Sequence, residues 1–214
     1  MSQTNRVYAA ITGDVIGSTK LYEKTGKPVR PILQAALARA NERLGDLLVV
    51  PFSITIGDEF QGLVQPWEHS PIAVFRARLA LYPLRCRMGV GIGSVAGGLA
   101  ATTTLMEGPA FNLARDALNT TSSSRVTVFR ADEPRVTQAT DVVWRLADVV
   151  TGSWSDKQWE AAQLFAVLGD MTAVARKLQV TKQAIHERLK SARYHELVES
   201  LTGLGSLLQT LSAA

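Results

Sequence analysis

Two aspartates stand where β-branched runs meet a glycine: Ile11-Thr12-Gly13-Asp14-Val15-Ile16-Gly17-Ser18-Thr19 and Ser53-Ile54-Thr55-Ile56-Gly57-Asp58-Glu59-Phe60. Carboxylates are hard oxygen donors, the ligand type that Mg²⁺ takes when it also carries phosphates. Gly17 lets the backbone turn tightly and approach an anion, and Ser18 and Thr19 add hydroxyls and amides at a loop-to-helix junction. Taken singly, Asp14 caps a turn and Gly57-Asp58 closes a hairpin. Taken together, they define a candidate metal and phosphate site.

A second constellation lies near the other end. Asp170 to Arg193 has the layout of a helix-turn-helix: Ala175 is small enough for close helix approach, Leu178 and Val180 frame a turn, and Thr181 can N-cap a second helix. That helix buries Ala184, Ile185 and Leu189 and leaves Lys182, Gln183, His186 and Lys190 outward, where they can meet base edges or phosphates. Arg176, Lys177 and Arg193 can hold the DNA backbone. Glu187 is the only acid from Met171 to Arg193. The competing reading is a solvated basic helix in an ordinary bundle.

The elements that must position these groups fit within 214 residues, room for a medium domain and a small one. The net charge of +4 is too modest to establish nucleic-acid binding by itself. A lone cysteine, Cys86, excludes an internal disulfide framework and reads as a core residue in a reducing compartment. The first residues lack the apolar core of a signal peptide, and no apolar run is long enough to cross a bilayer, so the expected location is cytoplasmic.

Arg6 to Thr12 reads as a central strand, and Pro28 or Val29 to Leu44 as a helix. Leu47 to Ile56 and Phe60 to Val64 form a hairpin with Gly57-Asp58-Glu59 at its tip. Pro71 to Leu81 is helical, Arg85 to Gly93 is a strand ending in a glycine-rich bend, and Gly108 to Asn119 opens a helix with Pro109 just inside its start. A strand at Arg125 to Phe129 and a short helical stretch at Val142 to Val150 follow. The alternation implies an α/β sandwich with a mostly antiparallel sheet. Thr151-Gly-Ser-Trp-Ser155 reads as a linker, which divides the chain at 1–150 and 151–214, and everything from Asp156 on reads as helix. The stripe Leu197, Leu201, Leu204, Leu208 and Leu211 either packs on the helix-turn-helix or pairs two chains.

The ordered motifs Asp14 before Gly17-Ser18-Thr19, Ile56-Gly57-Asp58, Arg87-Met-Gly-Val-Gly-Ile-Gly93 and Gly108-x-x-x-Asn112-Leu-Ala114 resemble the class III nucleotidyl cyclase domain. The implied fold is α/β (α+β): a ferredoxin-like βααβαβ palm followed by a small all-α domain. The whole chain is similar to the SatD family, which joins such a palm to a C-terminal helix-turn-helix, here also similar to the sigma-factor region-4 type. The resemblance implies that Asp14 and Asp58 hold metal with the carbonyl of Val15, and that Asn112 contacts a ribose near the reacting phosphate. The purine-reading positions carry Ile54 and Leu105. The arginine expected four residues after Asn112 falls on Asp116, with Arg115 one residue early, and a carboxylate there would repel developing phosphate charge. The Gly57-Asp58-Glu59-Phe60 string also resembles diguanylate cyclases, but Ile56 replaces their first glycine.

The sequence therefore leads to a homodimeric regulator binding double-stranded DNA, whose palm senses a nucleotide or other phosphorylated ligand through Asp14, Asp58, Gly17, Ser18, Thr19, Asn112 and Arg115, with Mg²⁺ possible. The alternatives are a divergent metal-dependent cyclase or phosphotransferase tethered to DNA, and a constitutive DNA-binding protein whose palm only dimerises.

Overall fold

A computed structural model describes residues 6–212. β1 (Val7–Val15) is the central strand, and α1 (Ser18–Thr25) and α2 (Val29–Leu44) follow it. β2 (Leu48–Ile54) and β3 (Phe60–Val64) form the expected hairpin. Then come α3 (Ser70–Leu81), β4 (Cys86–Ser94), α4 (Pro109–Asn119) and β5 (Thr127–Ala131). The sheet order is β2-β3-β1-β4-β5, antiparallel throughout except for the parallel β4–β5 pair. This is the mixed palm that the motif order implies, with β5 added at one edge.

Alternation along β1 sets the two faces. Ala9, Ile11 and Val15 join Met88 and Val90 of β4 against Leu33 and Leu37 of α2 and Phe75 and Leu79 of α3. Tyr8 and Ala10 turn the other way, to meet Leu63, Ala110 and Ala114 under α4. Each of these large side chains contributes about 1.5–3 kcal/mol by leaving water. α3 is buried on nearly every side, because C-terminal helices cover the face that α2 leaves open.

The glycines of β4 seat α4. A Cβ on Gly89 would lie 2.2 Å from the carbonyl oxygen of Ala114, and one on Gly91 2.0 Å from that of Ala110. The run read as a glycine-rich bend is therefore strand to Ser94, with its glycines spent on backbone-to-backbone packing.

The second half departs most from expectation. α5 is not a short stretch at Val142 to Val150 but runs Pro134–Gly152, with Pro134 at its start and the Glu133 side chain accepting from the Arg135 N–H. The segment read as a linker is anchored in the core by two of its residues, Thr151 and Trp154, while Gly152, Ser153 and Ser155 are exposed. Thr151 is fully buried and accepts a 3.1 Å hydrogen bond from Arg78, while Trp154 is 4% exposed and donates from Nε1 to the carbonyl of Ala192 at 2.8 Å. Asp148 of α5 accepts from Arg78 at 2.6 Å and from the Thr127 N–H at 2.8 Å. Burial pushes the Asp148 carboxyl up, against the downward pull of Arg78 and the Thr127 N–H.

Helices α6 (Asp156–Leu168), α7 (Met171–Leu178), α8 (Lys182–Ser191) and α9 (Tyr194–Ser212) complete the chain. Phe75 of α3 meets Trp154 and Tyr194 with ring centres 6.1 Å apart, and Tyr82 stacks on Trp159 at 5.6 Å. Gln163 of α6 donates to the carbonyls of Leu79 at 2.8 Å and Tyr82 at 3.1 Å. The leucine stripe of α9 packs on α5 and α3 as well as α8. Gly205, which reads in sequence as a weakness, lets α9 close on the turn at Glu68: a Cβ there would sit 2.8 Å from the Glu68 carbonyl oxygen. Among the described residues, no helix is long and apolar enough to cross a membrane.

Gly91→Ala should cost about 3 kcal/mol or more, since backbone cannot yield as a side chain tip does, lowering the thermal midpoint by roughly 6–12 °C. Gly98→Ala, where a Cβ meets nothing within 4 Å, should leave the midpoint unchanged.

Candidate functional site

Asp14 lies inside β1 rather than in the loop after it, directly opposite Arg87 of β4. Arg87 Nε donates to Asp14 Oδ1 at 2.9 Å, and its Nη2 donates to Oδ2, so one guanidinium occupies both carboxylate oxygens. The β2–β3 tip is closed by Thr55 N–H to the Glu59 carbonyl at 2.9 Å and Glu59 N–H to the Ile56 carbonyl at 2.8 Å, with Gly57 at φ 59°. That positive φ is the conformation glycine adopts freely. The tip presents Asp58 and Glu59, both half-buried.

Arg115 of α4 reaches Glu59 through two hydrogen bonds of 2.9 and 2.8 Å. These bonds, with the charge of Glu59 and of Asp14, hold its guanidinium above its ordinary range. Donation to the Asp14 carboxylate does the same for Arg87, with added attraction from Asp58. The result is a cluster of Asp14, Asp58, Glu59, Arg87 and Arg115 drawn from β1, the hairpin tip, β4 and α4. Arg87 and Arg115 keep 42% and 40% of their side chains exposed. Both pairs are thus open to water, and each is worth about 1 kcal/mol or less.

This arrangement revises the reading of α4. Arg115, one residue early in the motif, is the residue that joins the carboxylates, while Asp116 is exposed on another side of the helix. Asn112 is exposed near the start of α4. Gly17, at φ 69°, precedes α1, with Ser18 half-buried and Thr19 exposed in its first turn. Val15 sends its side chain into the core. Cys86, also buried, has its thiol pushed up to about 12, chiefly by burial, which suits a core residue and not a nucleophile.

Asp14 and Asp58 have the donor chemistry for Mg²⁺, while the third carboxylate of the cluster, Glu59, is held through both oxygens by Arg115. No group of three His, Cys, Asp or Glu among the described residues could hold a metal alone. They fit an ion whose shell is completed by phosphates and water. Arg87 competes with any such ion for Asp14. Sequence reasoning gave Arg87 and Glu59 no role, although the opposite charges of Asp14 and Arg87 at the paired ends of two strands were a readable signal.

In the C-terminal helices, Asp170 caps α7 by accepting from the Thr172 and Ala173 N–H groups, and Gln179 turns the chain in a left-handed conformation at φ 54°. Thr181 caps α8 by accepting from the Ala184 N–H at 3.1 Å. Ile185 and Leu189 are buried, and Lys182, Gln183, His186 and Lys190 are exposed. Gln183 donates to Glu187 at 3.0 Å. Arg176 and Lys177 are exposed at the end of α7. Arg193, itself at φ 54°, is exposed and pairs with Glu196 at 3.5 Å.

The family model for SatD matches residues 8–197. The chain belongs to the SatD family. Comparison with curated proteins finds no match. Among solved structures, this SatD-family chain is similar to a bacterial light-regulated adenylyl cyclase, at 16% identity and a TM-score of 0.43 over 57% of this chain and 42% of that one. It is also similar to the guanylate cyclase domain of RhGC from Catenaria anguillulae in complex with GTP, at 17% identity and TM-score 0.40 over 54% and 74% of the two chains. A likeness to a regulator of polyketide synthase expression from Bifidobacterium adolescentis spans 96% of this chain and 82% of that one, at 15% identity and TM-score 0.30. The SatD-family chain thus spans under half the length of the light-regulated cyclase, and likenesses at these scores assign no activity.

Whether a cation competes with Arg87 for Asp14 is directly measurable. With Mg²⁺ tenfold above its dissociation constant, Arg87→Gln should gain about 1.4 kcal/mol, a rise of roughly 3–6 °C in midpoint. The wild-type protein should respond less at the same concentration, and equal responses would mean that Arg87 does not guard Asp14.

Proposed function

We propose that this SatD-family protein is a DNA-binding transcription regulator whose palm binds a nucleotide or another phosphorylated ligand. The observation that carries the reading is the presentation of α8. Ile185 and Leu189 anchor it, the tight turn at Gln179 to Thr181 sets it against α7, and Lys182, Gln183, His186 and Lys190 face outward. This presentation supports reading α8 as a recognition helix for a major groove, with Arg176, Lys177 and Arg193 as the proposed phosphate contacts. A homodimer acting in the cytoplasm follows from the same reading, because paired half-sites need paired helices.

In the palm, Arg87 and Arg115 are the cations that a phosphate would meet, and Asp14 and Asp58 are the residues that would hold Mg²⁺. When bound, the ion supplies positive charge against the ligand's phosphates. A ligand anion competes with Asp14 for Arg87 and with Glu59 for Arg115, so occupancy breaks two ion pairs and redistributes charge across β1, β4, α4 and the hairpin tip. Asn112 and the Gly17-Ser18-Thr19 turn are further contacts for ribose and phosphate in this reading.

A second reading, a divergent metal-dependent cyclase or phosphotransferase, is favoured by one specific observation. Arg115 pairs with Glu59 and feels the charge of Asp14, where Asp116 would have repelled a phosphoryl transition state. Turnover of a nucleoside triphosphate, lost in Asp14→Ala and Asp58→Ala, would decide for it.

Selection of bound duplexes from a random DNA library, followed by fluorescence anisotropy on the enriched sequence, tests the DNA reading. Lys190→Ala should weaken binding across sequences and lower the slope of log affinity against log salt by about 1. Gln183→Ala should cost about 1–3 kcal/mol on the preferred sequence and little on others. No enrichment, or variants that bind as the parent does, would overturn it.

A further inference from the structure

On the sheet face opposite the Asp14–Arg87 pair, a cavity of about 350 Å³ opens where the palm meets the C-terminal helices. Its apolar walls include Leu81, Leu84, Val126 and Val149, and its polar groups include Arg85, Ser123 and Ser124. Trp159 closes one side. Its indole is 2% exposed, and its Nε1–H has no hydrogen-bond partner among the described residues. The Nε1–H is itself shielded from the open space, so Trp159 serves the cavity as an apolar wall.

The charges of the cavity sort into one spent pair and one available cation. Asp148 lines the cavity, but Arg78 at 2.6 Å and the Thr127 N–H at 2.8 Å occupy its carboxylate. Arg85 lies over the ring of Trp159 at 4.7 Å and over Tyr82 at 5.7 Å. Its ion pair with Asp156 is loose, at 3.7 Å, and Asp156 is 82% exposed. A guanidinium held on aromatic faces and weakly paired to a solvated carboxylate is a ready receptor for a second carboxylate, which it can take through two parallel hydrogen bonds.

We infer that this cavity binds a small organic carboxylate, with the acid group on Arg85 and an aromatic or aliphatic body between Leu84 and Val149. The volume is that of a small-ligand pocket. One available guanidinium among apolar walls suits a monoanion with a hydrophobic body better than a phosphate dianion. The site is distinct from the Asp14–Asp58 cluster and does not depend on the function proposed for it. Its occupant touches Arg85, next to Cys86 of β4, and Trp159 of α6, and so bridges the sheet and the helices that carry α7 and α8.

Isothermal titration of the full chain with benzoate, phenylacetate, indole-3-acetate and hexanoate, each beside its amide, tests this inference. At least one acid should bind saturably while its amide does not. Arg85→Gln should weaken that acid at least tenfold. Val149→Trp, a change on an exposed helix surface at the cavity wall, should abolish binding without lowering the thermal midpoint. No saturable binding by any of the four acids, equal binding of acid and amide, or binding that survives both substitutions would overturn it.

Discussion

The buried ion pair between Arg78 and Asp148 is the constraint on which the arrangement of the second half depends. Arg78 sits on α3 under the sheet and Asp148 on α5, and the second carboxylate oxygen takes the N–H of Thr127 at the start of β5. Taking both charges out of water costs several kcal/mol, which close geometry, the Thr127 N–H donated to Asp148 and the Thr151 hydroxyl oxygen accepting from Arg78 offset. The pair adds little net stability over an apolar substitute. What it does is fix position, because either charge left alone in this core would be costly. α5 is therefore held in one register against α3 and β5, and Thr151 and Trp154 follow it into the interior.

From that fixed point the aromatic seam extends outward. Phe75 meets Trp154 and Tyr194, Tyr82 meets Trp159, and the indole of Trp154 bonds the carbonyl of Ala192 just after α8. α8 is thus tied to the palm through residues that touch neither its outward face nor the carboxylate cluster. The division at residue 150 is a division of proposed roles, drawn within one continuous apolar core. A ligand that shifts β4, from the Arg87 side or the Arg85 side, acts on a strand whose neighbours lead to Trp159 and α6.

Local chemistry was legible where its signal is local. The hairpin at Gly57, the Thr181 cap, the burial of Cys86 and the start of α4 at Pro109 all follow from short strings with a defined physical meaning. Features that depend on a distant partner were not. Thr151-Gly-Ser-Trp-Ser155 has loop composition, and only the Ala192 carbonyl and the Arg78 guanidinium reveal why its Trp and Thr are interior. Gly205 lowers helix propensity, and its use appears only when Glu68 stands against it. Glu133-Pro134 was a readable start for α5 that the apolar run at Val142 to Val150 obscured. In the site, the aspartates could be found from sequence, but their partners could not be assigned without the register that sets Arg87 opposite Asp14 and the helix rotation that points Arg115, and not Asp116, at Glu59.

The central structural claim is that palm and C-terminal helices form one cooperative unit through this seam. Scanning calorimetry, read beside far-ultraviolet circular dichroism and tryptophan fluorescence on the same sample, tests it directly. One transition is expected, coincident by all three probes and with calorimetric and van't Hoff enthalpies in agreement. Two separable transitions, with helix lost before the tryptophan environment of the seam changes, would contradict it.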